Sequence, residues 1–474
     1  MAERGSEESA RRAQRNVILT AAIAGLGGLL FGYDTGIIAS ALLFVRSDFD
    51  LSSFEQGMVV AAVPVGAIIG AAFAGQLADR YGRRQVIISA ATVFIVGAIA
   101  SAFAPDLAVL TLARILLGAA VGLASANAPV YISEVAPPAL RGRLVSCFQL
   151  AVTVGILVAY IVGLAFSPSE EWRWMLGLGA IPALALLIGM LRMPQSPRWL
   201  VMVGEDYKAR LVLSHIRRDD EDAIERELEE IKDSLDVKPG AWRDLLEPAV
   251  KAALVIGIGL AILQQVTGIN TVIYYAPTII EYTGVSDGSS AILASLGVGI
   301  INVLATIVAL WLIDRKGRRP LLMVGVAGMT AALVALGGAF LGDESGTVVT
   351  VVAIASLMAY VAAFAISLGP IFWLLNSEIY PLNVRSKAAA AGTMANWTFN
   401  FIVSLTFLLL IDALGQSGTF FFYALVGLFT LWFCWRLVPE TKGKTLEQIE
   451  AIFKMRAEGS PAPPADGEAG KSRA

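Results

Sequence analysis

Charge is scarce in this 474-residue chain: Asp, Glu, Lys and Arg make up 16%, against about 25% in a typical soluble protein. Histidine is reduced to His215, and cysteine to Cys147 and Cys434. Each shortage excludes something. A surface this poor in charge cannot clothe the roughly three soluble domains that such a length would otherwise form. A single histidine, in a polar stretch, cannot build a histidine relay through a membrane. Two cysteines in or beside apolar blocks give neither a disulfide framework nor a zinc site. A net charge of −3 gives no case for nucleic acid as a partner. No Walker A motif, catalytic triad or metal-ligand cluster is present, so an enzyme, ATP hydrolysis, a metal or another cofactor has no support. The polar N-terminal stretch MAERGSEESARRAQRN leads into an apolar block that runs past Phe31 with no small-residue cleavage site. That block reads as an uncleaved first span, not a signal peptide.

Apolar sequence is abundant: 56% of residues are hydrophobic and the mean hydropathy is +0.69. It falls in blocks of about 20 residues, the length needed to cross a ~30 Å hydrocarbon core. Twelve blocks can be drawn, at 17–45, 57–78, 85–104, 107–131, 144–166, 174–192, 251–281, 290–313, 320–342, 348–376, 386–411 and 419–438. Few alternate with period two, as a membrane barrel would require. Helices satisfy their own backbone in lipid, so helices are expected. The expected fold is an all-α integral membrane protein with twelve transmembrane helices in two pseudo-symmetric six-helix bundles. The bundles are 1–192 and 251–438, joined by cytoplasmic linker helices at 193–250 and followed by a cytoplasmic tail at 439–474. The linker holds the acidic run Asp219-Asp220-Glu221-Asp222, then Ile224, Leu228, Ile231 and Leu235 on one helical face. The tail opens a short helix with a Thr445-x-x-Gln448 capping box and ends in SPAPPADGEAGKSRA, which reads as disordered.

Orientation follows from Lys and Arg in the loops. One set of loops contains only Arg46 and Arg173. The other contains Arg80, Arg83, Arg84, Arg141, Arg143, Arg315, Lys316, Arg318, Arg319, Arg385 and Lys387. The second set, both termini and the linker are therefore expected on the cytoplasmic side of a cell membrane. An internal repeat accompanies this. Asp79-Arg80-Tyr81-Gly82-Arg83-Arg84 after span two recurs as Asp314-Arg315-Lys316-Gly317-Arg318-Arg319 after span eight. Glu134 and Arg141 after span four recur as Glu378 and Arg385 after span ten. Two repeated halves are the signature of a transporter with one substrate site between them.

Asp34 and Arg114 are the only charged side chains well inside the apolar blocks of the first half. Burying either alone costs at least ~2.5–3.5 kcal/mol. Asp34 stands about eleven residues from the end of its span at Val45, roughly 16 Å, and Arg114 about ten from Ala104, roughly 15 Å. Matched depths allow them to pair. A carboxylate that gains an arginine in one state and loses it in another changes its proton affinity, the minimum machinery for coupling to protons. The alternative is a permanent structural ion pair. The second half has amides and aromatics in mid-span instead: Gln264, Gln265, Asn270, Tyr274, Tyr275, Asn302, Trp373, Asn396 and Trp397, with Gln149 from span five. Amides both donate and accept, as hydroxyls do, and indole or phenol rings offer an apolar face with a polar tip. The set suits a neutral polyhydroxyl ligand, with helix–helix amide glue as the alternative. Gly268 and Gly369-Pro370 are weak points where spans seven and ten could break beside a cavity. Gly66-x-x-x-Gly70 and Gly118-x-x-x-Gly122 read as close-packing faces. Asp79, Arg83, Arg84, Glu134 and Arg141, with Asp314, Arg318, Arg319, Glu378 and Arg385, could latch the halves together in one state. Cytoplasmic positive charge alone is the other explanation of the arginines.

The chain resembles the sugar porter family of the major facilitator superfamily along nearly its whole length. The residues that carry the resemblance are GQLADRYGRR (75–84), RGR (141–143), PQSPRWL (194–200), QQVTGINTVIYY (264–275), DRKGRR (314–319), GPIFW (369–373), NWTFN (396–400) and PETKG (439–443). Gln195 departs from a frequent Glu, and Leu310 from a usual Gly. The resemblance implies a monosaccharide held by Gln149, Gln264, Gln265, Asn270, Asn302, Trp373, Asn396 and Trp397. Phe31, Tyr274 and Tyr275 would close over it, and the paired charge sets would form a cytoplasmic gate with the linker helices. Proton-coupled members carry Asp in FGYD, where animal facilitative carriers carry Asn. Asp34, with Arg114 at the matching position, therefore implies a sugar–proton symporter, for a hexose such as glucose, working by alternating access as a monomer in the bilayer. Short loops without an Asn-x-Ser/Thr acceptor on the far side lean toward a bacterial protein. Two rivals stay open: a facilitator of the same fold that keeps Asp34 without coupling, and a membrane sugar sensor that binds without turnover. A sensor would carry a longer tail than the one after Pro439. A drug–proton antiporter would need a larger apolar cavity than an amide-rich set provides.

Overall fold

The computed structural model describes residues 2–216, 221–235, 242–285, 287–342, 346–381, 384–444, 448 and 453, with side chains from residue 15 onward. The described residues are almost entirely helical. The first half comprises α1 (Ala2–Asp48), α2 (Ser53–Tyr81), α3 (Arg83–Ala102), α4 (Leu107–Val135), α5 (Pro138–Phe166), α6 (Trp172–Gly177) and α7 (Ala180–Arg192). The linker forms α8 (Pro197–Met202), α9 (Asp206–Ile216) and α10 (Glu221–Leu235). The second half comprises α11 (Pro248–Val266), α12 (Ile269–Glu281), α13 (Gly288–Lys316), α14 (Arg318–Ala339), α15 (Thr347–Ala365), α16 (Leu368–Glu378) and α17 (Arg385–Leu437). Thr445 and residues 454–474 lie outside the described residues, as do Asp219, Asp220 and the side chains of Leu235 and Asp314.

Among the described residues, eleven helical stretches are long and apolar enough to cross a membrane. The last, α17, has 53 residues and would run ~80 Å if continuous. It breaks at Gly415, which has φ 71°. Beyond it, Ser417 donates to the Gly337 carbonyl, and the Trp435 carbonyl accepts from Arg319. The chain thus runs back along α14, and α17 supplies two spans, which makes twelve. Large apolar side chains such as Leu112, Ile181, Leu425 and Trp432 remain more than half or about half exposed. That is the face of a multi-pass membrane protein turned to lipid.

Local chemistry sets the helix ends. Ser52 and Glu55 close a capping box at the start of α2, and the Asp106 carboxylate accepts from the Val109 amide at the start of α4. The two GxxxG faces pack on each other. A Cβ at Gly66 or Gly70 would strike the backbone of α4 at Ile115 or Ala119, and one at Gly118 or Gly122 the backbone of α2 at Val63 or Ala67. Span seven breaks at Gly268 (φ 93°) between α11 and α12, and span ten at Ser367 between α15 and α16. Span six is also interrupted, at Leu178–Gly179, between α6 and α7.

The sequence repeat is a repeat of backbone and contacts. Gly82 (φ 87°, ψ 150°) ends α2 and opens α3, and Gly317 (φ 90°, ψ 164°) does the same between α13 and α14. Only glycine adopts that conformation cheaply. Arg84 donates to the carbonyls of Met190 and Leu191 at the end of α7, as Arg319 does to Trp435 near the end of α17. In the linker, α9 buries Ala209, Leu213 and Ile216, while α10 buries Ile224 and Leu228. The ion pairs Lys232–Asp206 and Arg210–Glu221, each 2.6 Å, join the two helices.

Candidate functional site

Asp34 on α1 and Arg114 on α4 are both buried and meet at 3.4 Å. The α2 backbone completes the arginine's shell, because Arg114 Nε donates to the Val59 carbonyl at 2.8 Å. The pair therefore rests on three helices. Phe31 lies one turn before Asp34, on the same face of α1. Its ring touches Trp397 of α17, with centroids 5.4 Å apart. The Tyr274 hydroxyl of α12 comes close to Thr35, beside Asp34, and to Asn400 of α17.

Trp397 is next to Asn396, and Asn396 belongs to a bonded cluster of amides. Asn396 donates to Gln264 Oε1 at 2.7 Å and to the Ala261 carbonyl at 3.1 Å. Gln265 donates to Asn396 Oδ1 at 3.1 Å, and Asn270 donates to Gln265 Oε1 at 2.6 Å. Gln264 donates to the Leu368 carbonyl at 2.7 Å, at the first residue of α16. The breaks at Gly268 and Ser367 thus flank one polar centre built from α11, α12, α16 and α17. Gln149 on α5 and Asn302 on α13 stand outside the cluster, and neither amide has a protein hydrogen bond among the described residues. Trp373 packs obliquely on Phe372, with centroids 4.8 Å apart, and keeps 39% of its surface exposed. Tyr275 is turned into the second half: its hydroxyl donates to the Ser404 carbonyl at 3.0 Å and its ring packs on Phe407. Thr35 and Asn400 join this region without having stood out in the sequence, since neither carries charge or repeats.

The charged sets at the linker end pair within each half. Arg83 bridges Asp79 and Glu134, each at 3.3 Å, and Arg318 pairs with Glu378 at 3.1 Å. Arg141 is exposed, and Arg385 donates to the Tyr380 carbonyl at 3.1 Å. The linker's first residues dock on the first half: Ser196 donates to Glu134 and Trp199 to the Asp79 carbonyl. In the second half, Thr441 donates to Glu378, and Glu440 accepts from the Arg318 and Arg319 amides at 3.0 and 3.1 Å. Gln195 occupies the place of Glu440 in the first half but donates to the Tyr81 carbonyl instead, leaving its own buried oxygen without a partner.

Residues 20–453 match the family described as sugar (and other) transporter. The chain is 44% identical to a D-xylose transporter of Levilactobacillus brevis, over 91% of this chain and 94% of that one. It is 42% identical to a galactose-proton symporter of Escherichia coli, over 90% and 92%. The xylose transporter XylE from E. coli, in a partially occluded inward open conformation, superposes with a TM-score of 0.80 at 34% identity, over 91% of this chain and all of that one. The relatives are carriers and not enzymes, and the chain belongs to the sugar porter family of the major facilitator superfamily.

Proposed function

We propose that this protein is a proton-coupled monosaccharide symporter that takes a hexose, glucose first among the candidates, and works by alternating access. The observation that carries the reading is the buried Asp34–Arg114 pair, linked through Phe31 to Trp397, the neighbour of Asn396 in the amide cluster. A ligand that rearranges Trp397 or Tyr274 moves groups that touch α1 beside Asp34. Separation of Asp34 from Arg114 changes the carboxylate's proton affinity, and this ties sugar occupancy to proton occupancy. The amides present donors and acceptors to hydroxyls while the indole and phenyl faces cover sugar C–H surfaces. Gln149 and Asn302, with unspent hydrogen-bonding capacity, face the ligand from the two halves. The arginine-rich end, with linker and termini, is the cytoplasmic side. The paired charges there hold each half's inner end together and form the cytoplasmic gate. Relatives named as galactose-proton and arabinose-proton symporters support coupling.

The test is Asp34→Asn. It removes the titrating group while keeping a side chain of the same shape beside Arg114. Uphill sugar accumulation is abolished, whereas sugar binding and sugar–sugar exchange persist. Accumulation at the wild-type level would refute the coupling role of Asp34.

A further inference from the structure

Pro277 sits inside α12. A proline has no amide hydrogen, so the carbonyl four residues earlier, that of Ile273, loses its helical partner. Tyr160 fills the vacancy. This α5 side chain is fully buried, and its hydroxyl donates to the Ile273 carbonyl at 2.9 Å. Two turns further on, at the last residue of α12, both carboxylate oxygens of Glu281 accept from Arg46 Nη2 of α1, at 2.8 and 3.1 Å. The two contacts have one pattern: the side chain that reaches out belongs to the first half, and α12 belongs to the second. Both lie toward the end remote from the linker. α12 is itself bounded by a left-handed Gly268 and interrupted at Tyr275 (φ −120°, ψ 15°). It is a short lever on a backbone hinge, pinned at two points to the opposite half.

We propose that Tyr160, Arg46 and Glu281 are positioning residues that hold α12 against the first half and so set the balance between closed and open states at the linker-distal mouth. The proposal rests on the transport reading. Tyr160 acts through the orphaned carbonyl. While α12 is in place the carbonyl is buried and needs a donor. When α12 swings out, water supplies one. Loss of the Tyr160 hydroxyl therefore penalises the closed state alone. An unsatisfied buried carbonyl shifts such a balance by roughly tenfold or more toward open. The Arg46–Glu281 pair is partly exposed, with side chains 33% and 18% accessible, so its loss shifts the balance by only a few-fold.

The experiment measures distances between spin labels at Ser169→Cys and Thr347→Cys, exposed positions at the linker-distal end of each half. The background is full-length protein carrying Cys147→Ser, because Cys147 is exposed and Cys434 is buried. The expected result is a dominant short distance in the parent. Tyr160→Phe adds a long-distance population, and Glu281→Gln adds a smaller one. The exchange Arg46→Glu with Glu281→Arg returns the parent distribution. Unchanged distributions in both Tyr160→Phe and Glu281→Gln overturn the proposal, as does failure of the charge exchange to restore what Glu281→Gln shifted. Glu281→Gln alters only a rim side chain and keeps the test decisive should Tyr160→Phe fold poorly. The distances require neither sugar nor a proton gradient, so a failed latch and failed symport are read separately.

Discussion

Gln195→Glu should stabilise the protein, because it restores to the first half a bond the second half already has. At the second site Glu440 accepts from the Arg318 and Arg319 amides, which open α14, and from the Lys442 amide at 2.9 Å. A carboxylate there satisfies two of the orphan donors at a helix start and meets the positive end of its dipole. At the first site the side chain of Gln195 lies against Gly82 just as Glu440 lies against Gly317: a Cβ on either glycine would collide with it. The amide nonetheless donates backward to Tyr81 and leaves its oxygen unpaired. A carboxylate would accept from the first amides of α3. The dipole contributes about 0.3–1 kcal/mol at exposed sites and up to ~2 in partly buried ones. Hydrogen bonds to a charged acceptor contribute about 1.5–3 kcal/mol each, offset by several kcal/mol for desolvating the carboxylate. A net gain of roughly 1–2 kcal/mol remains, worth about 2–8 °C in Tm for a unit of this size. Thermal unfolding of purified Gln195→Glu in detergent reads this directly. Glu440→Gln is the mirror experiment and lowers Tm by a similar amount. An unchanged or lower Tm for Gln195→Glu would refute the equivalence of the two sites.

Other outcomes follow from the packing and the polar centre. Gly118→Ala drives a methyl into the Val63 carbonyl and destabilises by about 1–3 kcal/mol, whereas Gly25→Ala, with nothing near its Cβ, leaves Tm unchanged or raised; equal Tm values for the two would count against tight α2–α4 contact. Gln264→Ala removes an acceptor from the Asn396 amide and a donor from the Leu368 carbonyl, so both Tm and sugar affinity fall. Asn302→Ala, whose amide has no protein hydrogen bond among the described residues, weakens sugar binding roughly tenfold with Tm unchanged, by loss of a hydrogen bond worth about 1 kcal/mol or more; calorimetric titration with glucose separates ligand contact from helix glue.

Much of the fold was legible because lipid enforces simple rules. Block length gave the spans, and Gly268 marked the break in span seven. The break in span ten fell at Ser367, just before the Gly369-Pro370 pair that signalled it. The join at Gly415 could be read only as a gap between two blocks, since glycine there ends one helix without a polar loop. In the site, Asp34 and Arg114 could be paired from depth alone, because a membrane leaves a buried charge few partners. The bonding among Gln264, Gln265, Asn270 and Asn396 could not, because it depends on the relative rotation of α11 and α17. Nor did residue order show that Glu134 and Glu378 pair with Arg83 and Arg318, since the arginines come from other helices. Pro277 announces an orphan carbonyl, but its partner Tyr160 lies in the other half. Arg46 and Glu281 are rim charges of the kind that any span end carries.

The central claim is coupling, and it is tested most directly in liposomes loaded with the purified protein. Labelled glucose is followed with and without an inward proton gradient of one pH unit. One unit supplies about 1.4 kcal/mol per proton, which supports tenfold accumulation if one proton moves with each sugar. The account predicts accumulation toward that ratio, collapsing on addition of a protonophore. Equilibration without accumulation, gradient or none, would contradict it and leave the Asp34–Arg114 pair a structural element of a facilitator.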